Sequence, residues 1–177
     1  MKRKILFALS SAILFFLACN DKPDADKMSV VTTIEPVRFI ISSILGEKGE
    51  TASLVLSNQD VHSPDLMPLT MKNITDADFI FFLGSGIEFE DKNAKALIKN
   101  ARDVSIVFLS ENFDSVYDPH IWVSLKNIKI IADAVCGALS AYDRENGAYY
   151  KDNFKALSSR AENAESILVE RALKLSL

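Results

Sequence analysis

Four short apolar runs, alternating with segments of helical spacing, predict an α/β protein with a four-stranded, mostly parallel sheet, flanking helices and a long C-terminal helix. Three observations carry that expectation. The runs at 28–34, 51–56, 78–83 and 105–109 are rich in β-branched or aromatic residues and are five to seven residues long. The segments between them place apolar residues three and four apart, as a helix with one buried face requires. The connections are short, the pattern of strand–helix–strand units whose sheet runs parallel with helices on both faces.

Met28 to Ile34 (MSVVTTI) reads as a buried strand. Glu35-Pro36 opens a helix, since proline suits the first turn, and Val37, Ile40, Ile41, Ile44 and Leu45 form its apolar face up to Gly46. Thr51 to Leu56 is the second strand, and the polar, Pro-rich stretch from Ser57 to Pro68 is a loop. Leu69 to Ala77 is a short helix. Asp78 to Leu83 (DFIFFL) is a third strand, almost wholly apolar, as expected where both faces are covered. Asp91 to Ala101 is helical and Ser105 to Leu109 (SIVFL) is the fourth strand. Ser124 to Ala141 is the next helix, and Tyr142 to Gly147 is a break. The final helix runs from about Ala148. Its residues Phe154, Leu157, Ala161, Ala164, Leu168, Ala172 and Leu175 form one stripe. Some 28 residues at about 1.5 Å each give roughly 42 Å, longer than one small lobe needs.

The N-terminus reads as an export signal. Lys2, Arg3 and Lys4 form a positive region and Ile5 to Leu17 an apolar one, too short to span a bilayer comfortably. Phe16-Leu17-Ala18-Cys19 resembles a bacterial lipobox, with Phe16 where leucine is commoner, which implies that Cys19 is lipidated and becomes the new N-terminus. Residues 1–18 are then the signal and 19–27 a polar tether. The alternatives are an uncleaved anchor, or a plain signal with an incidental Cys19. Cleavage before Cys19 leaves 159 of 177 residues, and losing three of 20 basic residues leaves 17 against 24 acidic ones, a net charge of −7. That balance argues against sequence-independent nucleic-acid binding, which needs clustered Lys and Arg on phosphates. With Cys19 lipidated, Cys136 has no partner for an intramolecular disulfide, and its apolar surroundings mark a buried helical thiol.

The chain has two histidines, each in a distinctive loop: His62 in NQDVHSPD and His120 in YDPHIW. A lone loop histidine is more often solvated than ligating. Two beyond the carboxyl ends of parallel strands are better placed, because ligands of such sheets sit at that edge and neutral imidazole binds zinc and other divalent metals. The His62 loop follows the second strand and the His120 segment follows the fourth, so both are expected at one edge. Gly84-Ser85-Gly86 lacks the third glycine of a dinucleotide fingerprint and reads as a tight turn. Trp122 is expected to pack beside the following helix and steady the His120 loop. Asp118 either holds the His120 ring or caps a turn, and Glu88 is either a supporting turn carboxylate or a surface one.

Three stretches in order carry a resemblance: VVTTIEP, then DVHSPDLMPLTMKNITDADFIFFLGSGIE, then DPHIWVSLKN. They resemble landmarks of the zinc/manganese solute-binding proteins of ABC importers from about Val30 onward. The resemblance implies His62 and His120 as metal ligands, with Asp60, Asp118 and Glu88 as possible support, and zinc or manganese as cargo for a membrane ABC permease. It also implies an exported, lipid-anchored protein at the bacterial envelope and no enzymatic activity. Departures are Pro64 where the family has an aromatic residue, and Val123-Ser124-Leu125 where it commonly has Leu-Asp-Pro. The His-rich loop of many zinc-specific members is absent.

The family has two lobes joined by a long helix, the second supplying two further ligands. This chain resembles the first lobe (28–123) and the connecting helices (124–177), with the second lobe missing. A zinc site wants about four ligands, so two histidines, with Asp60, Asp65 or water, are expected to bind weakly unless a second-lobe chain completes the site. Two other readings compete. One is a truncated or split remnant with no transport role or with an interaction role at the cell surface. The other is a metal-dependent hydrolase, against which stands the lack of a carboxylate at His-x-x-Glu-His type spacing.

Overall fold

The computed structural model describes residues 27–55, 68–101, 103–114 and 118–175. The signal, Cys19 and the loop with Asp60, His62, Pro64 and Asp65 lie outside them. The elements in order are β1 (Met28–Thr32), α1 (Glu35–Leu45), β2 (Gly49–Ser53), α2 (Pro68–Thr75), β3 (Phe79–Phe82), α3 (Glu88–Asn100), β4 (Ser105–Phe108), α4 (Leu125–Tyr142) and α5 (Gly147–Leu175). Each predicted strand and helix is present.

The sheet has the order β2-β1-β3-β4, and every pairing is parallel. Connections from β1 to β2 run one way across the sheet, and those from β2 to β3 and β3 to β4 run the other. Right-handed crossovers then put α1 on one face and α2 and α3 on the opposite face. The packing agrees: α1 lies against α4 and α5, while α2 lies against α3. Covered on both sides, all four residues of β3 are buried. Phe79 and Phe81 stack at 5.5 Å between ring centres, with Tyr142 from the end of α4 set edge-on against Phe79, and Phe82 stacks on Phe108 at 5.4 Å.

Two elements start more than one residue from expectation. β2 begins at Gly49 rather than Thr51, because the register opposite Met28 and Ser29 of β1 draws Gly49 and Glu50 into the ladder. Leu54 and Val55 keep the ladder going past its end through bonds to the carbonyls of Thr32 and Thr33, at 2.8 and 2.9 Å. α3 begins at Glu88 rather than Asp91, with Glu88, Glu90 and Asp91 in a first turn whose dipole favours acidic side chains.

α1 ends at Gly46, whose φ of 56° lets its amide return to the Ser42 carbonyl. A side chain there would also collide with the Tyr149 hydroxyl, 2.1 Å from an ideal Cβ. α5 is thus docked closely on the end of α1, where Asn153 caps the Ile44 carbonyl at 2.9 Å. The α4–α5 corner closes on Asp143, which accepts from the Asn146 side chain at 2.8 Å and from the hydroxyl of fully buried Tyr150 at 2.7 Å. Tyr150→Phe keeps the ring and loses one bond, so urea unfolding of the variant is expected to show a loss of about 1 kcal/mol. An unchanged midpoint would mean the corner is held by packing alone.

The 29-residue α5 is about 43 Å long at 1.5 Å per residue. Its apolar stripe is buried at Leu157 and Ala161, then emerges: Leu168 is 59% and Leu175 89% exposed. Cys136 on α4 is buried, and that burial pushes its thiol pKa up, as expected of a structural cysteine.

Candidate metal centre

In a parallel sheet every strand ends at the same edge. The strand order reverses between β1 and β3, so the crevice beyond their carboxyl ends is where a ligand is expected. The segment carrying His120 reaches this edge after β4 and enters a short 3-10 turn, Ile121–Val123. The bond holding it over the end of β3 comes from Ser85, whose hydroxyl donates to the Pro119 carbonyl at 2.6 Å. β2 ends at the same edge, and His62 follows it in the sequence, outside the described residues.

Asp118 takes both of the roles left open by the sequence. Its Oδ1 accepts the His120 backbone N–H at 2.8 Å, closing the turn, and lies 2.8 Å from His120 Nδ1. The backbone bond first, and the ring bond second, hold the Asp118 carboxyl below the usual aspartate range. An ionised carboxylate only accepts, so Nδ1 carries the proton. The His120 ring is half-buried, and the Trp122 ring is tilted against it at 5.1 Å between ring centres. Trp122 also forms one wall of an apolar groove of about 360 Å³ bounded by Phe39, Ile128, Leu157 and Ala161. The groove therefore opens beside the histidine.

Glu88, the carboxylate singled out in the sequence, is exposed at the first position of α3 and ion-pairs with Lys92. Two residues on, Glu90 is only 3% exposed and lies at the reversal point itself. Its Oε1 accepts from the Thr33 hydroxyl beyond β1 and from the Leu83 amide beyond β3 at 2.9 Å; its Oε2 accepts from the Gly84 amide at 2.7 Å. Burial, outweighing those three bonds, raises the Glu90 pKa. Gly84 has a φ of 67°, and a Cβ there would lie 2.6 Å from Ser110 Oγ, so the turn is built for glycine. Glu90 was missed because a charge in a first helical turn looks solvated. The faint signal was the i, i+2 pair of glutamates, of which one must face inward. Among the described residues no group of three or more His, Cys, Asp and Glu side chains is gathered to hold a metal.

The family described as zinc-uptake complex component A periplasmic matches residues 30–176. The chain belongs to that family. Among curated relatives of this family member, the metal ABC transporter substrate-binding lipoprotein SloC of Streptococcus mutans is 30% identical, over 98% of this chain and 62% of the relative. The manganese ABC transporter substrate-binding lipoprotein PsaA of Streptococcus pneumoniae is 33% identical, over 88% of this chain and 56% of its own length. The Mn-bound periplasmic metal binding protein of Candidatus Liberibacter asiaticus shares the fold at a TM-score of 0.75 and 24% identity, covering 84% of this chain and 58% of that one. The chain thus spans about 60% of the length of the relatives it matches.

Proposed function

We propose that this chain is the histidine-bearing lobe of an extracytoplasmic solute-binding protein, which captures zinc or manganese and delivers it to an ABC permease in the membrane. His120 and His62 are the ligands it supplies, and Cys19 is the lipid anchor that keeps it at the cell envelope. The observation that carries the reading is the Asp118–His120 pair. Metal-ligating histidines generally donate their second ring nitrogen to a carboxylate or carbonyl, which fixes the tautomer and raises ligand basicity. With Nδ1 engaged by Asp118, ligation falls to Nε2. Imidazole suits zinc and added carboxylates suit manganese, and the metals named for the relatives and neighbours support the same pair.

Two histidines leave a tetrahedral zinc shell half filled. Further ligands come from a second lobe, attached to this chain or supplied as a separate one, with Asp60 or water as weaker substitutes. Glu88 and Asp118 act around the shell. Capture and release of an ion is a binding role, and the site lacks the paired histidine and general-base spacing of a metal hydrolase.

The test is a calorimetric titration of the full chain with zinc and with manganese, alone and mixed with a second-lobe chain, beside a His62→Ala, His120→Ala variant. Weak binding that tightens at least tenfold on mixing and disappears in the variant is the expected result. Tight 1:1 binding by the chain alone would overturn the incomplete site. Absence of histidine-dependent binding in both arms would leave a retained fold without a transport role.

A further inference from the structure

On the metal-binding reading above, we infer that Ser85 is a positioning residue for His120, braced in turn by the buried carboxylate of Glu90. Several hydrogen bonds place the His120 segment. One such bond comes from the sheet: Ser85 Oγ to the carbonyl of Pro119, the peptide group directly before His120, at 2.6 Å. Two more lie within the segment, where the His120 amide and ring Nδ1–H donate to Asp118 Oδ1. The Asp118 bonds orient the ring relative to its own turn. Among the bonds of the described residues, the Ser85 bond ties that turn to the rigid edge of β3.

Ser85 is itself held in place. It lies between Gly84 and Gly86, both at positive φ (67° and 88°), so the turn has a defined but intrinsically soft backbone. Two anchors stiffen it: the Leu83 carbonyl accepts the Ser110 amide at 2.8 Å, and the Glu90 carboxylate takes the Leu83 and Gly84 amides. Thr33 ties the same carboxylate to the end of β1. The series Thr33–Glu90–Gly84–Ser85–Pro119–His120 thus runs from the centre of the sheet to the candidate ligand. A ligand held by such a supporting shell binds more tightly because less ordering remains to be done when the ion arrives.

The test uses the full chain in three forms: wild type, Ser85→Ala and Ser85→Thr. Zinc affinity is expected to fall about five- to tenfold in Ser85→Ala, the size of one neutral hydrogen bond, and to recover in Ser85→Thr. The thermal midpoint falls by only the roughly 2–4 °C that one lost hydrogen bond costs a chain of this size. A second readout needs no metal: 15N spectra of the histidine rings in a His62→Gln background. Both wild type and Ser85→Ala are expected to show the Nδ1–H tautomer held by Asp118, with sharp His120 ring signals in wild type and exchange-broadened ones in Ser85→Ala, where the turn is no longer tied to β3. Unchanged His120 ring line widths and affinity in Ser85→Ala would overturn the inference. So would an equal loss of affinity when Ser85→Ala is made in a His120→Ala background, since Ser85 would then act elsewhere. If wild type shows no histidine-dependent zinc binding, the metal reading fails, and the ring line widths alone decide for or against Ser85.

Discussion

Glu90→Ala is expected to lower the unfolding free energy by about 3 kcal/mol. The substitution leaves the amides of Leu83 and Gly84 and the hydroxyl of Thr33 without their acceptor, and each orphaned buried donor costs roughly 1–3 kcal/mol before water repairs part of the loss. For a chain of this size that corresponds to a fall in thermal midpoint of roughly 6–12 °C. Urea unfolding followed by circular dichroism measures it, and a loss below 1 kcal/mol would mean that water already serves these donors. The pH dependence carries a further signature. Because burial raises the Glu90 pKa in the folded state, its contribution to stability is fully present below the ordinary glutamate value of about 4.3. That contribution is lost as the pH rises through the raised folded value. In Glu90→Gln this component of the pH profile disappears, so the stability difference between wild type and variant should shrink as the pH increases from 4.

Asp118→Ala is expected to weaken zinc binding by the full chain about 10- to 100-fold, the usual effect of removing the carboxylate behind a metal-bound histidine. The reason lies in the shared Oδ1: one atom fixes both the backbone turn and the ring nitrogen of His120. Asp118→Asn retains an oxygen that can accept from either group, so it should fall between wild type and alanine. Since the Asp118 carboxyl sits below the usual range, its support is complete above the ordinary aspartate value of about 3.9 and fades only as the pH drops through its lowered one. Affinity in Asp118→Ala within twofold of wild type would remove Asp118 from the site. Circular dichroism of the exposed-site variant should match wild type, separating loss of a ligand brace from loss of fold.

Much of the fold was legible because its strongest signals are local. Phe79 to Phe82 could only be a strand covered on both sides, and the three- and four-residue steps of α1, α4 and α5 gave helices with a single buried stripe. β2 was placed two residues late, since Gly49 and Glu50 have no strand preference of their own. They are extended because Met28 and Ser29 lie opposite them. The DPHIW stretch singled out His120 as a candidate, and Asp118, left between holding the ring and capping a turn, does both. Glu90 and Ser85 were not legible, because their meaning comes from partners distant in sequence. Glu90 is buried by Thr33, 57 residues earlier, and Ser85 reaches Pro119, 34 residues later. Neither pairing leaves a mark on local periodicity.

The emergence of α5 from the lobe has a geometric consequence. From Ala161 to Leu175 the helix projects about 21 Å as an unbroken rod, so anything joined to or resting on its outer half is set at a fixed bearing relative to His120. Inserting one residue beyond Ala164 would advance that bearing by about 100° and lengthen the rod by only 1.5 Å. Inserting seven would return it to within about 20° while adding some 10 Å. The rod therefore acts as an indexing shaft, tolerant of extension in steps of seven and intolerant of single steps.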